Sequence, residues 1–157
     1  GVQQRDGFEY RAEDVRYRAE DGISVMSMDI SRAYPSEAGI ISWIRSVKLD
    51  RAGKAAVEIS DDLELERETS DICLTLMTLF RPMVSDGAIL VADAEGDGIN
   101  ITYDNNLFDA SVEEIVLDDS RLQRNWGNSL HRILLRLRRP VAKATWKLTV
   151  TAAENKR

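Results

Sequence analysis

The tightest constraint on this chain is the stretch from Ala38 to Glu66, AGIISWIRSVKLDRAGKAAVEISDDLELE, in which two alternating runs flank a short turn containing Gly. On the first run Ile41, Trp43, Val47 and Leu49 share one side with Arg45, while Ser42, Ser46 and Lys48 point the other way. On the second, Val57, Ile59, Leu63 and Leu65 alternate with Glu58, Ser60, Asp62, Glu64 and Glu66. Successive strand side chains face opposite ways, so the pattern predicts a hairpin with one buried face. The connection DRAGK, Asp50 to Lys54, supplies a Gly where a three- to five-residue hairpin loop usually needs a positive φ. This hairpin is expected at the centre of an antiparallel sheet.

Other segments carry the same two-residue period. Phe8, Tyr10 and Ala12 alternate with charged residues, and Val15, Tyr17 and Ala19 continue the pattern, which predicts one long strand or two joined by a bulge at Asp14. Glu20 to Gly22 should turn the chain, and Ile23 to Ile30 should return as the hairpin partner. Ile72 to Phe80, ICLTLMTLF, is apolar on both parities and predicts a central strand covered on each side. Shorter strands are expected at Ala88 to Val91, Ile99 to Tyr103, Ala110 to Leu117, Leu130 to Arg138 and Thr145 to Thr151, with one helical turn inside Asp118 to Gly127 and a frayed end at Glu154 to Arg157. Ten or so strands with almost no 3.6-residue periodicity predict an all-β fold. The architecture expected is an antiparallel two-sheet β-sandwich, residues 1–157 forming a single domain, with a closed barrel as the nearest competitor.

At 157 residues such a domain can bury about 70% of its unfolded surface and needs neither metal nor disulfide. Cys73 is the sole cysteine and lies in the apolar run, so a buried, inert thiol is expected. No apolar run approaches the ~18 residues of a membrane span, and no signal-peptide pattern is present. The chain opens at Gly1 in mid-pattern, which reads as a piece of a longer protein. The compartment is left open, a periplasmic or secreted setting being slightly favoured over the cytoplasm.

Charge divides unevenly: residues 1–120 hold 11 basic and 26 acidic side chains, whereas residues 121–157 hold ten basic and one acidic. The basic residues alternate with apolar ones in SLHRILLRLRR and ATWKLTV, which predicts strand surface paired with acidic neighbours. An anionic ligand or partner domain is the other reading.

Chemistry-bearing motifs are sparse. His131, the single histidine, shares a strand parity with Ile133, Leu135 and Leu137 and is expected to be structural. One His and one Cys exclude the usual zinc sites, and Walker A, Rossmann and GxSxG motifs are absent. Asp93, Glu95, Asp97, Gly98 and Asp104 fall at calcium-loop spacing but between predicted strands, so a polar hairpin turn is the expectation. The acidic run Asp61, Asp62, Glu64, Glu66 and Glu68 reads as a solvated strand face and turn, and the Asn100 to Thr102 sequon as a chance match. Trp43 and Trp146 are expected in the core. Trp126 lies beside Asn125, Gly127 and Asn128 in the one long loop, where an indole can either stack on a sugar ring or cap the core.

The opening GVQQRDGFEYRA, the run AYPSEAGIISWIRSVKLDR followed by AAVEISDDLEL, the central LMT, and LDDSRLQRNWG followed by TWKLTV resemble the C-terminal part of heparinase II/III-like proteins. The resemblance implies a bacterial-type polysaccharide lyase in which a helical toroid precedes an antiparallel β-sandwich. The implied reaction is β-elimination from a uronic-acid-containing polysaccharide, such as a glycosaminoglycan. The family's catalytic Tyr and Asn or His groups lie mostly in the toroid, and a His-Asn-Thr segment of its sandwich precedes the point corresponding to Gly1. Its sandwich metal is held by His, and no His precedes His131 here. No catalytic residue, metal ligand or cofactor is therefore carried over.

Three functions follow as expectations. The first is a supporting domain whose partner is the N-terminal catalytic domain of the same parent, with acidic polysaccharide reached through the parent and neither nucleic acid nor membrane as a partner. Its substrate-binding candidates are Arg132, Arg136, Arg138 and Arg139. The second is an autonomous carbohydrate-binding module using Trp126, and the third a purely structural domain.

Overall fold

A computed structural model describes residues 2–153. Eleven strands and one short helix occur among them: β1 Glu13–Glu20, β2 Ile23–Asp29, β3 Ile40–Asp50, β4 Ala56–Thr69, β5 Cys73–Thr78, β6 Met83–Ser85, β7 Ala88–Ala92, β8 Gly98–Thr102, β9 Phe108–Val116, α1 Ser120–Trp126, β10 Ser129–Leu137 and β11 Val141–Ala152. The fold is all-β, antiparallel and sandwich-like. The chain divides into two compact units, one holding the residues up to Asp71 together with Arg139–Thr151, the other Ile72–Arg138.

In the first unit the order is β1-β2-β3-β4-β11. The predicted central hairpin is present as β3 and β4, with Val47 opposite Ile59 and Trp43 opposite Leu63, although Gly53 in its loop does not take the expected positive φ. Asp21 and Gly22 form the β1–β2 loop with φ of 46° and 81°, the two positive values that let a two-residue turn follow the right-handed strand twist. One row of side chains runs across all five strands, Tyr17, Met26, Val47, Ile59 and Leu148. Its burial falls steadily outward, from 2% exposure at Leu148 to 40% at Met26 and 69% at Tyr17.

The second unit contains two three-stranded antiparallel arrangements, β5-β10-β9 and β6-β7-β8. Ile89, Ile101, Phe108, Ile133 and Leu135 are its most deeply buried apolar side chains. Its strands begin at Phe108 and Ser129, close to the predicted positions, and β6 is an addition that the sequence pattern did not mark.

Several expectations change. The Phe8 to Ala12 segment is a turn and coil rather than strand: Gly7, at φ 126°, accepts a hydrogen bond from the Tyr10 N–H, and Phe8 is 93% exposed. The bulge expected at Asp14 is present, with φ 49° at Asp14 and the β1–β2 register shifting between Glu13 and Arg16. The strand at Cys73 is the edge of its sheet, not the centre. Cys73, Thr75 and Met77 face outward, and Cys73 is exposed rather than buried. Strand β10 takes the centre because both its parities find partners, apolar ones inward and carboxylates outward. Ile41, expected on the buried side of β3, is 55% exposed because a bulge between Ile40 and Ser42 reverses its direction. The expectation for Glu154 to Arg157 lies outside the described residues.

Candidate functional site

Asp61 interrupts the inward series Val57, Ile59, Leu63, Leu65 of β4, and its side chain is 1% exposed. It is therefore not part of a solvated acidic face, whereas Asp62, Glu66 and Glu68 are exposed as expected. Arg45 is its register partner on β3 and Trp146 its register partner on β11. The carboxylate accepts four hydrogen bonds: from Trp43 Nε1 at 2.7 Å and Arg45 Nε at 2.8 Å on Oδ1, and from Trp146 Nε1 at 2.9 Å and Arg45 Nη2 at 3.1 Å on Oδ2. A buried carboxylate survives only when paired and hydrogen-bonded, and here both conditions are met.

The tryptophans order a third ring. Trp43 meets Trp146 edge to face, with centroids 6.1 Å apart, and stacks on Tyr34 at 5.5 Å with the planes 13° apart. The Arg45 guanidinium lies 5.7 Å from the Trp43 ring centre. Burial pushes the Tyr34 phenol above its ordinary pKa, Arg45 pulling it down and Asp61 adding to the rise. The stacking on Trp43 fixes the Tyr34 ring. The cluster positions a ring and a hydroxyl; with all its lone-pair directions engaged, Asp61 has no free site from which to act as a base.

Arg132, Arg136 and Arg138 of the second unit are engaged with acids, as the strand-surface reading predicts. Arg132 Nε donates to Glu113 at 3.1 Å, and Arg136 reaches the same carboxylate at 3.9 Å while bonding Ser111 at 3.2 Å. Arg138 pairs with Asp109 at 2.7 Å. In the first unit Lys143 and Lys147 pair with Glu64 and Glu58, and Arg139 is exposed in the bend after β10. The structure brings Arg132 and Arg136 together on one face of β10, sharing Glu113. Trp126 ends α1 and is 48% exposed, its helix capped by Asp119 accepting from the Arg121 N–H at 2.7 Å.

His131 is 9% exposed, with Nδ1 3.3 Å from the Leu79 carbonyl. Asp93 spends one carboxylate oxygen on the Glu95 and Asp97 N–H groups, closing a polar hairpin turn, and Asp104 accepts from the Asn106 N–H. Among the described residues no group of three or more His, Cys, Asp or Glu side chains converges as a metal site would require. The sequence reading missed Asp61 as a buried group. The signal was its parity, since it breaks an apolar series directly opposite the Arg that breaks the facing one.

Solved structures share this fold. The chain is similar to the heparan sulfate lyase HepC from Pedobacter heparinus, with a TM-score of 0.61 at 12% identity over 94% of this chain and 22% of that one. Over that part the two share a fold. The heparinase III-BT4657 gene product is similar as well, with a TM-score of 0.58 at 11% identity over 91% of this chain and 21% of that one. This chain spans about a fifth of the length of either lyase. No protein-family model matches the sequence, and no curated protein does.

Proposed function

We propose that this chain is the β-domain of a polysaccharide lyase that cleaves uronic-acid-containing polysaccharide by β-elimination, and that it supports the catalytic domain of the same parent rather than carrying the elimination itself. The observation behind this reading is the likeness to two heparan sulfate-type lyases over more than nine-tenths of this chain and about a fifth of theirs. Elimination needs a base for the proton α to the uronate carboxyl, a group that neutralises that carboxylate, and an acid for the leaving oxygen. Here His131 is buried in its sheet and Asp61 is saturated, which supports a non-catalytic role. Arg132, Arg136, Arg138 and Arg139 are the residues proposed to meet an acidic chain where the parent's cleft passes, the first three through exchange of their exposed carboxylate partners.

The test is uronide-lyase activity of this chain beside its full-length parent, read as ultraviolet absorbance of the unsaturated product over glycosaminoglycans and alginate. Cleavage by the parent alone supports the reading; cleavage by this chain alone overturns the non-catalytic assignment. A second reading, an autonomous carbohydrate-binding module, is favoured by the exposed indole of Trp126. Sugar binding by the isolated chain that disappears in Trp126→Ala would support it.

A further inference from the structure

The first unit holds an open groove of about 510 Å³, within the ~300–1,000 Å³ span of small-ligand sites. One side is the segment from Arg5 to Tyr10, the other the two 3-10 turns Ser31–Ala33 and Ser36–Ala38 with Tyr34 between them. We propose that this groove binds an uncharged pyranose unit of a glycan.

Three observations carry the proposal. The first is an aromatic pair. Tyr34 is stacked on Trp43, which is itself tied to Asp61, and Tyr10, at the end of the turn closing on Gly7, lines the same groove. Two tyrosines lining one groove present ring surface and hydroxyl together, the combination that suits the apolar face and rim hydroxyls of a sugar. The half-buried phenol of Tyr34 and the hydroxyls of Ser31 and Ser36 add polar groups able to donate or accept.

The second is charge. Arg5 and Arg32 line the groove with Glu9 and Glu37, so the cations and anions cancel. Arg5 pairs with Glu37 at 3.6 Å and Arg32 with Glu13 at 3.2 Å, all largely exposed. Such pairs contribute little and open readily, freeing donors and acceptors for sugar hydroxyls. A sulfate or carboxylate would meet as many acids as bases and gain no net attraction.

The third is the bulge between Ile40 and Ser42. It turns Ile41 away from the buried side of β3 and into the lining of this groove, giving an apolar contact where regular alternation would have hidden one. Bulges recur where a side chain must be re-aimed beside a site.

The inference stands apart from the lyase reading, because binding is measured on this chain alone. The experiment is amide-shift mapping of the chain with uncharged tetrasaccharides, cellotetraose, chitotetraose and mannotetraose, beside a sulfated heparin tetrasaccharide. Expected are saturable shifts confined to residues 5–10 and 31–41 with at least one neutral probe, weakened roughly tenfold by Tyr10→Ala and restored by Tyr10→Trp. Arg32→Ala, at an exposed position, serves as the second weakening variant should Tyr10→Ala lose its dispersed spectrum. Shifts centred on Trp126, tighter binding of the sulfated probe, or no saturable binding to any neutral probe overturns the proposal.

Discussion

Arg45 and Asp61 face each other across β3 and β4 and form a two-pronged ion pair, 2.8 and 3.1 Å long, in the middle of an otherwise apolar sheet face. Removing the acid strands the guanidinium and two indole N–H groups at once. Asp61→Ala is therefore expected to cost about 3 kcal/mol or more, the scale of breaking a buried pair from one side. Arg45→Ala should cost less, because Trp43 and Trp146 still hold the carboxylate and Arg45 is partly exposed. Urea unfolding of the three proteins checks the order; equal stability of Asp61→Ala and the native chain would show that the cluster holds nothing together.

Glu113 stands between two arginines, and its loss should matter more for binding than for folding. Glu113→Gln is expected to change stability by no more than about 1 kcal/mol, as for other exposed pairs. It should also raise retention on immobilised heparin, and Arg132→Ala or Arg136→Ala in the same background should reverse the gain. Unchanged retention would remove these arginines as polyanion contacts.

Acid should act through Asp29. Burial pushes its carboxyl up, but hydrogen bonds from Ser31 and the Trp43 N–H, with Arg32 nearby, outweigh that and leave it below its ordinary value. A depressed folded pKa gives stability that is complete above the unfolded value, about 4, and is lost as pH falls through the folded one. Asp29→Asn should therefore flatten the decline of the unfolding midpoint below pH 4 while leaving its slope at neutral pH unaltered. A mutant with the native acid limb would assign that limb elsewhere, Asp50 and Asp119 being the other depressed carboxyls.

Cys73 lies on the open face of an edge strand. One thiol per chain should react with a chromogenic disulfide reagent under native conditions, without denaturant. A thiol that reacts only after unfolding would return Cys73 to the buried position that its apolar neighbours imply.

The strands legible in the sequence were those with one wet face, because there alternation records burial directly. The pair β3 and β4, with Trp43 inward, and β11 beside it, with Trp146 inward, are read correctly on that basis. The edge placement of β5 was not legible: an apolar run reports how much surface can be buried, and only the neighbours decide how much is. Bulges defeat parity outright, as Ile41 shows. The Asp61 cluster is half legible, since alternation places Arg45 inward while Asp61 is masked by the acidic residues around it. The groove joins residues up to 36 positions apart through two 3-10 turns, and no periodicity marks those.

The fourth donor to Asp61 comes from Trp146, 85 residues further along the chain. During synthesis β3 and β4 emerge adjacent and can pair early, yet their buried acid stays short of a partner until β11 leaves the ribosome and lies down beside β4. Closing so long a loop is slow relative to local pairing. The first unit therefore matures last at its own centre, and a nascent chain arrested before residue 146 would carry an exposed, under-coordinated charge where the finished protein is most tightly knit.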